Sequence, residues 1–325
     1  MNKQLITWQL ILKSLEQHIP VMLLYVLESA GSSPGRHGFF MAVNAADEME
    51  GSIGGGIMEH KFTEMAKEQL REKTAGLSLR KQVHDKSAAR NQSGMICSGE
   101  QTILLYRLHQ QEYLHIRNII ASLQQYQNGT LQLSPTGLQF FPGKVPEADF
   151  VFIKHSAADW HYTEKTGYKN QLSIIGGGHC SLALSRLMRT MDFYIRLYDT
   201  RPDLPTFLQN EFAHEKIIIP DYSELGNRIH SGDHHYVVVM TLGYRTDDTA
   251  VKALLNKTFK YFGLLGSKTK NGQLLAAYAA SGTDPELLSR IHSPIGLPIH
   301  SQTPEEIAVS IAAEIIQVKN KSLTS

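Results

Sequence analysis

The segment LSIIGGGHCSLALSRLM constrains this chain more than any other, because it joins an apolar run to a helical pattern through glycines at fixed positions. Gly176 and Gly178 stand directly after the run, and His179 opens the helix. The first glycine permits a tight turn, and the second lets backbone approach a pyrophosphate. The helix mouth then offers unbonded N–H groups and the positive end of its dipole. Ser181 fills the third position of the Gly-x-Gly-x-x-Gly pattern and is small enough for close helix–strand packing. A second strand, FYIRLYD, ends in Asp199, 21 residues past Gly178 and near the spacing of a ribose-binding carboxylate. Further apolar runs, KIIIP, YVVVM and YFGLLG, alternate with helical patterns such as DDTAVKALLNK. The alternation predicts a Rossmann-like, doubly wound parallel sheet over residues 166–325.

In such a sheet the ligand lies beyond the carboxyl ends of the strands. Gly176, Gly178, His179 and Asp199 are therefore candidates for holding NAD(P) or another nucleotide. Arg201 reads either as a phosphate contact or as a solvated loop residue. Gly266 and Ser267, followed by Lys268, begin another helix after a strand and form a second candidate anion site. An NAD(P)-dependent oxidoreductase would draw acid–base groups from Asp247, Asp248 and Lys268, yet the two aspartates read equally as helix caps. Asp233-His234-His235 precedes a strand and reads as a solvated turn, since adjacent strand residues face opposite ways and do not share a metal. The final helix is signalled by Thr303 as N-cap, Pro304, Glu306 in a capping box and an Ile307, Ile311, Ile315 stripe.

The first half has another rhythm. Leu5, Trp8, Ile11, Leu12 and Leu15 form a helical stripe, and VMLLYVLES and GFFMAVN read as strands around the turn-rich AGSSPGRHG. A glycine loop follows, Ser52-Ile53-Gly54-Gly55-Gly56, running into an amphipathic helix that carries Glu59. QTILLYRL is strand-like, residues 112–125 are helical, and residues 129–153 suggest hairpins. The polar, aliphatic-poor HSAADWHYTEKTGYKN places the domain boundary near Gly167, giving an α+β domain over 1–165. Three consecutive glycines suggest close approach of a ligand or of another chain segment. No Walker lysine follows them. Glu59 reads as a dipole partner or as a ligand acceptor, and Ser33 and Arg36 supply an anion-binding edge. Cys97, beside Gly99, is open to two readings: an inert thiol, or a residue for soft-metal or persulfide chemistry. Cys180 reads as packing against the sheet. No Cys-x-x-Cys zinc pattern occurs.

Composition bounds the rest. A length of 325 residues favours two domains. With 32 Lys and Arg against 31 Asp and Glu, the net charge of +1 argues against a bulk nucleic-acid binder but leaves room for a local anion site. Two cysteines point to a reducing cytoplasm. No stretch approaches the roughly 20 apolar residues of a membrane span, and MNKQLITWQLILKSLEQ lacks a signal peptide's features.

Taken together, ESAGSSPGRHG, GSIGGGIME, MICSGEQTILL, IIGGGHCSLAL, LYDTRPD, YFGLLGSKTK and IHSPIGLPIHSQTPEEIAVSIAAEII resemble the xanthine dehydrogenase accessory protein family, XdhC/CoxI, in the same order. The resemblance implies a glycine-loop domain joined to a Rossmann domain. It implies a chaperone, not a hydroxylase, that binds molybdenum cofactor (molybdopterin) while its sulfido ligand is installed and assists its insertion. The implied partners are an apo xanthine dehydrogenase-type molybdoenzyme, a cysteine desulfurase and a second copy in a homodimer. On this reading Ser52, Gly54, Gly55, Gly56 and Arg36 cradle the cofactor, Glu59 orients its pterin, and Cys97 lies near the metal or its sulfur. Three positions depart from the family's habit: Ile57 and Met58 where a Cys precedes the Glu, Ser98 within Cys97-Ser98-Gly99, and Tyr244 in place of His.

Overall fold

A computed structural model describes residues 3–72, 76–83 and 99–321, and the chain divides into two compact units, Met1–Gly167 and Tyr168–Ser325. Among the described residues no helix is long and apolar enough to cross a membrane.

The first unit opens with α1 (Lys3–Glu16), β1 (Val21–Gly31), β2 (Phe40–Asn44), β3 (Met49–Gly51) and α2 (Gly56–Glu72). It continues through β4 (Leu77–Val83), β5 (Gly99–Leu108) and α3 (Tyr113–Gln124), then β6 (Gly129–Ser134), β7 (Gly137–Pro142), β8 (Phe150–Lys154) and β9 (Trp160–Thr166). An antiparallel five-stranded sheet runs β3-β2-β1-β5-β4, and a four-stranded one runs β7-β6-β9-β8. β1 is apolar at every position from Val21 to Leu27 because both its faces are buried. Leu23, Tyr25 and Leu27 join α1, α3 and the second sheet in one core. Met22, Leu24 and Val26 face α2 through Met58, Phe62 and Ala66 in another.

The polar segment after residue 154 contains a strand, β9. Trp160, Tyr162, Glu164 and Thr166 all point inward, and the buried Glu164 carboxylate accepts hydrogen bonds from the hydroxyls of Tyr25 and Tyr162, each at 2.6 Å. Inward polar residues with partners elsewhere in the chain hide the alternation that marks a strand.

The second unit runs β10 (Asn170–Ile175), α4 (His179–Arg189), β11 (Phe193–Asp199), α5 (Pro205–Leu208), β12 (Glu215–Ile218) and α6 (Leu225–Arg228). Then come β13 (Gly232–Val239), α7 (Tyr244–Leu254), β14 (Phe259–Leu264), α8 (Lys268–Ala280), α9 (Pro285–Ser289), β15 (Ile291–His292) and α10 (Pro304–Lys321). Six parallel strands lie in the order β12-β11-β10-β13-β14-β15. Numbered within the unit this is 3-2-1-4-5-6, the doubly wound dinucleotide order, with its switch point between β10 and β13. α4 and α10 cover one face, and α6, α7 and α8 the other. Asp233, His234 and His235 fall inside β13 instead of in a turn before it, and His235 Nδ1 lies 2.7 Å from the His230 carbonyl. The capping box of α10 is present: Thr303 Oγ1 accepts from the Glu306 N–H and Glu306 Oε2 from the Thr303 N–H, both at 3.2 Å.

Candidate functional site

Each unit presents a glycine loop between a strand and a helix. In the first, the fully buried Ile53 roots the loop beside Met58 and Phe62. Gly54, Gly55 and Gly56 then hold φ of 131°, 76° and 70°, a left-handed run that strains any side chain. Glu59, in the first turn of α2, folds back over the loop. Its Oε2 accepts from the Ser52 hydroxyl at 2.6 Å, the Ile53 N–H at 2.9 Å and the Gly55 N–H at 3.0 Å. Ser52 Oγ in turn accepts from the Gly54 N–H at 3.1 Å. Three loop N–H groups expected to face an anionic ligand are thus bonded to the protein's own side chains.

Space for a ligand remains on the outer side of this loop, since a Cβ built on Gly55 meets no atom within 4 Å. Arg36 is exposed close by in sequence to the loop's neighbours, donating from Nη1 to the Gly31 carbonyl at 3.1 Å. Ser33 is a buried strut whose hydroxyl donates to the Glu100 carbonyl at 3.2 Å. Glycines let three backbone segments touch. A Cβ on Gly35 would overlap the Ile53 carbonyl oxygen, one on Gly54 would lie 2.5 Å from the Gly35 nitrogen, and one on Gly99 would lie 2.8 Å from the Ser33 nitrogen. Gln101, within the MICSGEQTILL segment but not named as a site candidate from the sequence, donates from Nε2 to the Gly35 carbonyl at 2.8 Å. Cys97 and Ser98 lie outside the described residues. Among the described residues no group of three or more His, Cys, Asp or Glu is placed to hold a metal.

In the second unit, Gly176 has φ of 103° and packs against Met240 and Thr241 of the β13–α7 connection, leaving no room for a Cβ. Its N–H donates to the Tyr198 carbonyl at 2.8 Å. Ser181 donates to the Gly176 carbonyl, and Thr206 donates to the Gly177 carbonyl at 2.6 Å. Ser at the third motif position therefore ties the turn to the helix. Gly178, the N-cap of α4, has no side-chain cap, and a Cβ on it meets nothing within 4 Å. His179 is exposed. These features fit a diphosphate: an open glycine at an uncapped helix start beside the switch point.

Asp199 does not offer the ribose contact its spacing predicts. It is fully buried, and its oxygens accept the Gly177 N–H at 2.6 Å and the Arg201 N–H, Nε and Nη2, each at 2.9 Å. Those four donors fill the lone-pair sites of a carboxylate. Burial alone would raise its pKa, but the Arg201 guanidinium and the two backbone N–H groups hold it below the usual carboxylate range.

The second expected anion site is also occupied from within. Ser267 caps α8 by accepting the Lys270 N–H at 3.2 Å, and Gly266 has Asn271's amide where a Cβ would lie. Asp247 is buried, accepting from the Thr241 hydroxyl at 2.6 Å and from Lys270 Nζ at 2.5 Å. Asp248 binds Lys252 at 2.8 Å and the Tyr278 hydroxyl at 2.7 Å. Cys180 packs against the apolar core, and burial pushes its thiol pKa up.

Two family models match this arrangement, one for the XdhC Rossmann domain over residues 172–315 and one for the XdhC and CoxI family over residues 14–80. The chain belongs to the XdhC/CoxI family. An uncharacterized protein of Escherichia coli K12, YqeB, is 24% identical over 310 residues, covering 94% of this chain and 45% of its own length. A Bacillus subtilis protein named as a probable xanthine dehydrogenase subunit is 29% identical over 189 residues, 55% of each chain. The chain spans about half the length of these curated relatives. A Bacillus halodurans crystal structure named as a xanthine dehydrogenase superposes with a TM-score of 0.69 at 23% identity, covering 98% of both chains, and shows the shared fold. In this XdhC/CoxI chain Ile57, at the departing position of the first loop, is 65% exposed. Tyr244 is half-exposed beside Leu242, itself 79% exposed, after β13.

Proposed function

We propose that this chain is a maturation factor for a xanthine dehydrogenase-type molybdoenzyme. On this reading its first unit holds molybdenum cofactor while the cofactor's sulfur is installed, then releases it to the apo-enzyme, with a cysteine desulfurase as sulfur source. The observation that carries the reading is the convergence of three glycine-bearing segments at one end of the five-stranded sheet. The names of the relatives from Bacillus support an association with xanthine dehydrogenase.

The residues present suit such a ligand. The open side of Gly55 admits close backbone approach, and Arg36 supplies a cation for a phosphate. When bound, the cofactor supplies the molybdenum centre that the recipient enzyme uses. The chain's own part is to orient it and to keep water away. Cys97, the cysteine in the family-like segment MICSGEQTILL, is the candidate thiol for handling sulfur.

The test is anaerobic gel filtration of the full chain with molybdenum cofactor released from a donor enzyme, reading molybdenum and pterin in the protein peak. Co-elution is expected, with Arg36→Glu weakening it roughly tenfold or more. Failure to retain cofactor, under conditions where an established cofactor-binding protein retains it, overturns the reading.

A further inference from the structure

The second unit carries an inference that does not depend on cofactor handling by the first. In the doubly wound fold, a free carboxylate at the end of the second strand takes the adenine ribose diol, and a cation there favours a phosphorylated ribose. Here the carboxylate is present but enclosed. Asp199 has no exposed surface and accepts four hydrogen bonds from the chain itself. What reaches solvent at that position is the Arg201 guanidinium, its side chain 37% exposed.

We propose that Arg201 is the specificity-determining residue of this crevice, and that the crevice takes an adenine dinucleotide phosphorylated on its ribose, in preference to the unphosphorylated form. Nε and Nη2 are the Arg201 side-chain atoms bonded to Asp199. A guanidinium has five N–H donors, so this side-on pairing leaves three, on the edge away from the carboxylate, for phosphate oxygens. Asp199 fixes the guanidinium and withholds itself from hydroxyl donors. The open face of Gly178 suits the diphosphate. Leu242, 79% exposed in the connection that touches Gly176, offers apolar surface to a ring at the switch point.

Titration calorimetry of the full chain with NADPH and NADH tests this. NADPH is expected to bind roughly tenfold or more tightly than NADH. The adenosine bisphosphate half of NADPH competes, and adenosine diphosphate does not. Arg201→Gln removes the difference by weakening NADPH. Asp199→Asn keeps an acceptor for Gly177 but turns an amide N–H2 toward the Arg201 donors, so the guanidinium is no longer held and NADPH weakens. If Arg201→Gln does not fold, the wild-type ratio and Asp199→Asn decide. Equal affinities, a preference for NADH, no binding of either dinucleotide, or an unchanged NADPH affinity in Asp199→Asn overturns the proposal. None of these outcomes bears on cofactor retention by the first unit.

Discussion

Glu59 and Asp199 do the same thing on different folds: each is a carboxylate that takes the N–H groups of a neighbouring glycine loop as its own donors. Glu59→Ala therefore strands the Ile53 and Gly55 donors and the Ser52 hydroxyl. Loss of about 1–3 kcal/mol of stability is expected, read as a lower denaturation midpoint. An unchanged midpoint would show that these bonds do not hold the loop. His214 gives a pH-dependent counterpart. Its Nδ1 accepts the Ile195 N–H at 2.9 Å and its Nε2 meets the Tyr168 hydroxyl at 2.7 Å. Burial first, and nearby Arg189 second, lower its pKa to about 3. The folded pKa is below the unfolded one, so the unfolded chain binds the proton first. The stability is whole above about pH 6.5 and is lost as pH falls toward the folded value. Denaturant midpoints measured at about pH 7 and about pH 5 should therefore drop further for the wild type than for His214→Phe. Equal drops would remove His214 from the account.

At the scale of elements, the two glycines of the Rossmann turn separate conformation from ligand approach. Gly176→Ala forces a Cβ into the Met240 carbonyl at a φ of 103°, and a loss of about 2 kcal/mol or more is expected. Gly178→Ala has φ of −72° and free space, so its stability should stay within about 0.5 kcal/mol while dinucleotide binding weakens. Comparable thermal melts for the two variants would contradict this division. Strand–helix alternation, glycine spacing and the Thr303 cap were legible because each is written in neighbouring residues. β9 was not, because the partner that lets Glu164 point inward, Tyr25, lies 139 positions away. The enclosure of Asp199 was equally hidden: Arg201 is two residues on, but whether it covers the carboxylate or reaches solvent is set by the loop's path.

The whole molecule divides into two units with separate apolar cores, and each unit carries one glycine loop. Residues 168–325 expressed alone should give an α/β circular dichroism spectrum and a cooperative melt. A fragment that stays unfolded would show that its core depends on the first unit. Within the first unit, β1 is shared. Its odd residues belong to one core and its even residues to the other, and it leads into the segment that touches the Ser52–Gly56 loop. A strand held from both sides cannot be released by local opening of either. Its amides should exchange with solvent only when the unit opens as a whole, so the slowest hydrogen exchange is expected along Leu23–Val26. The floor on which the first glycine loop stands is thus set by the unit's global opening equilibrium, and a substitution deep in either core changes how often that floor gives way.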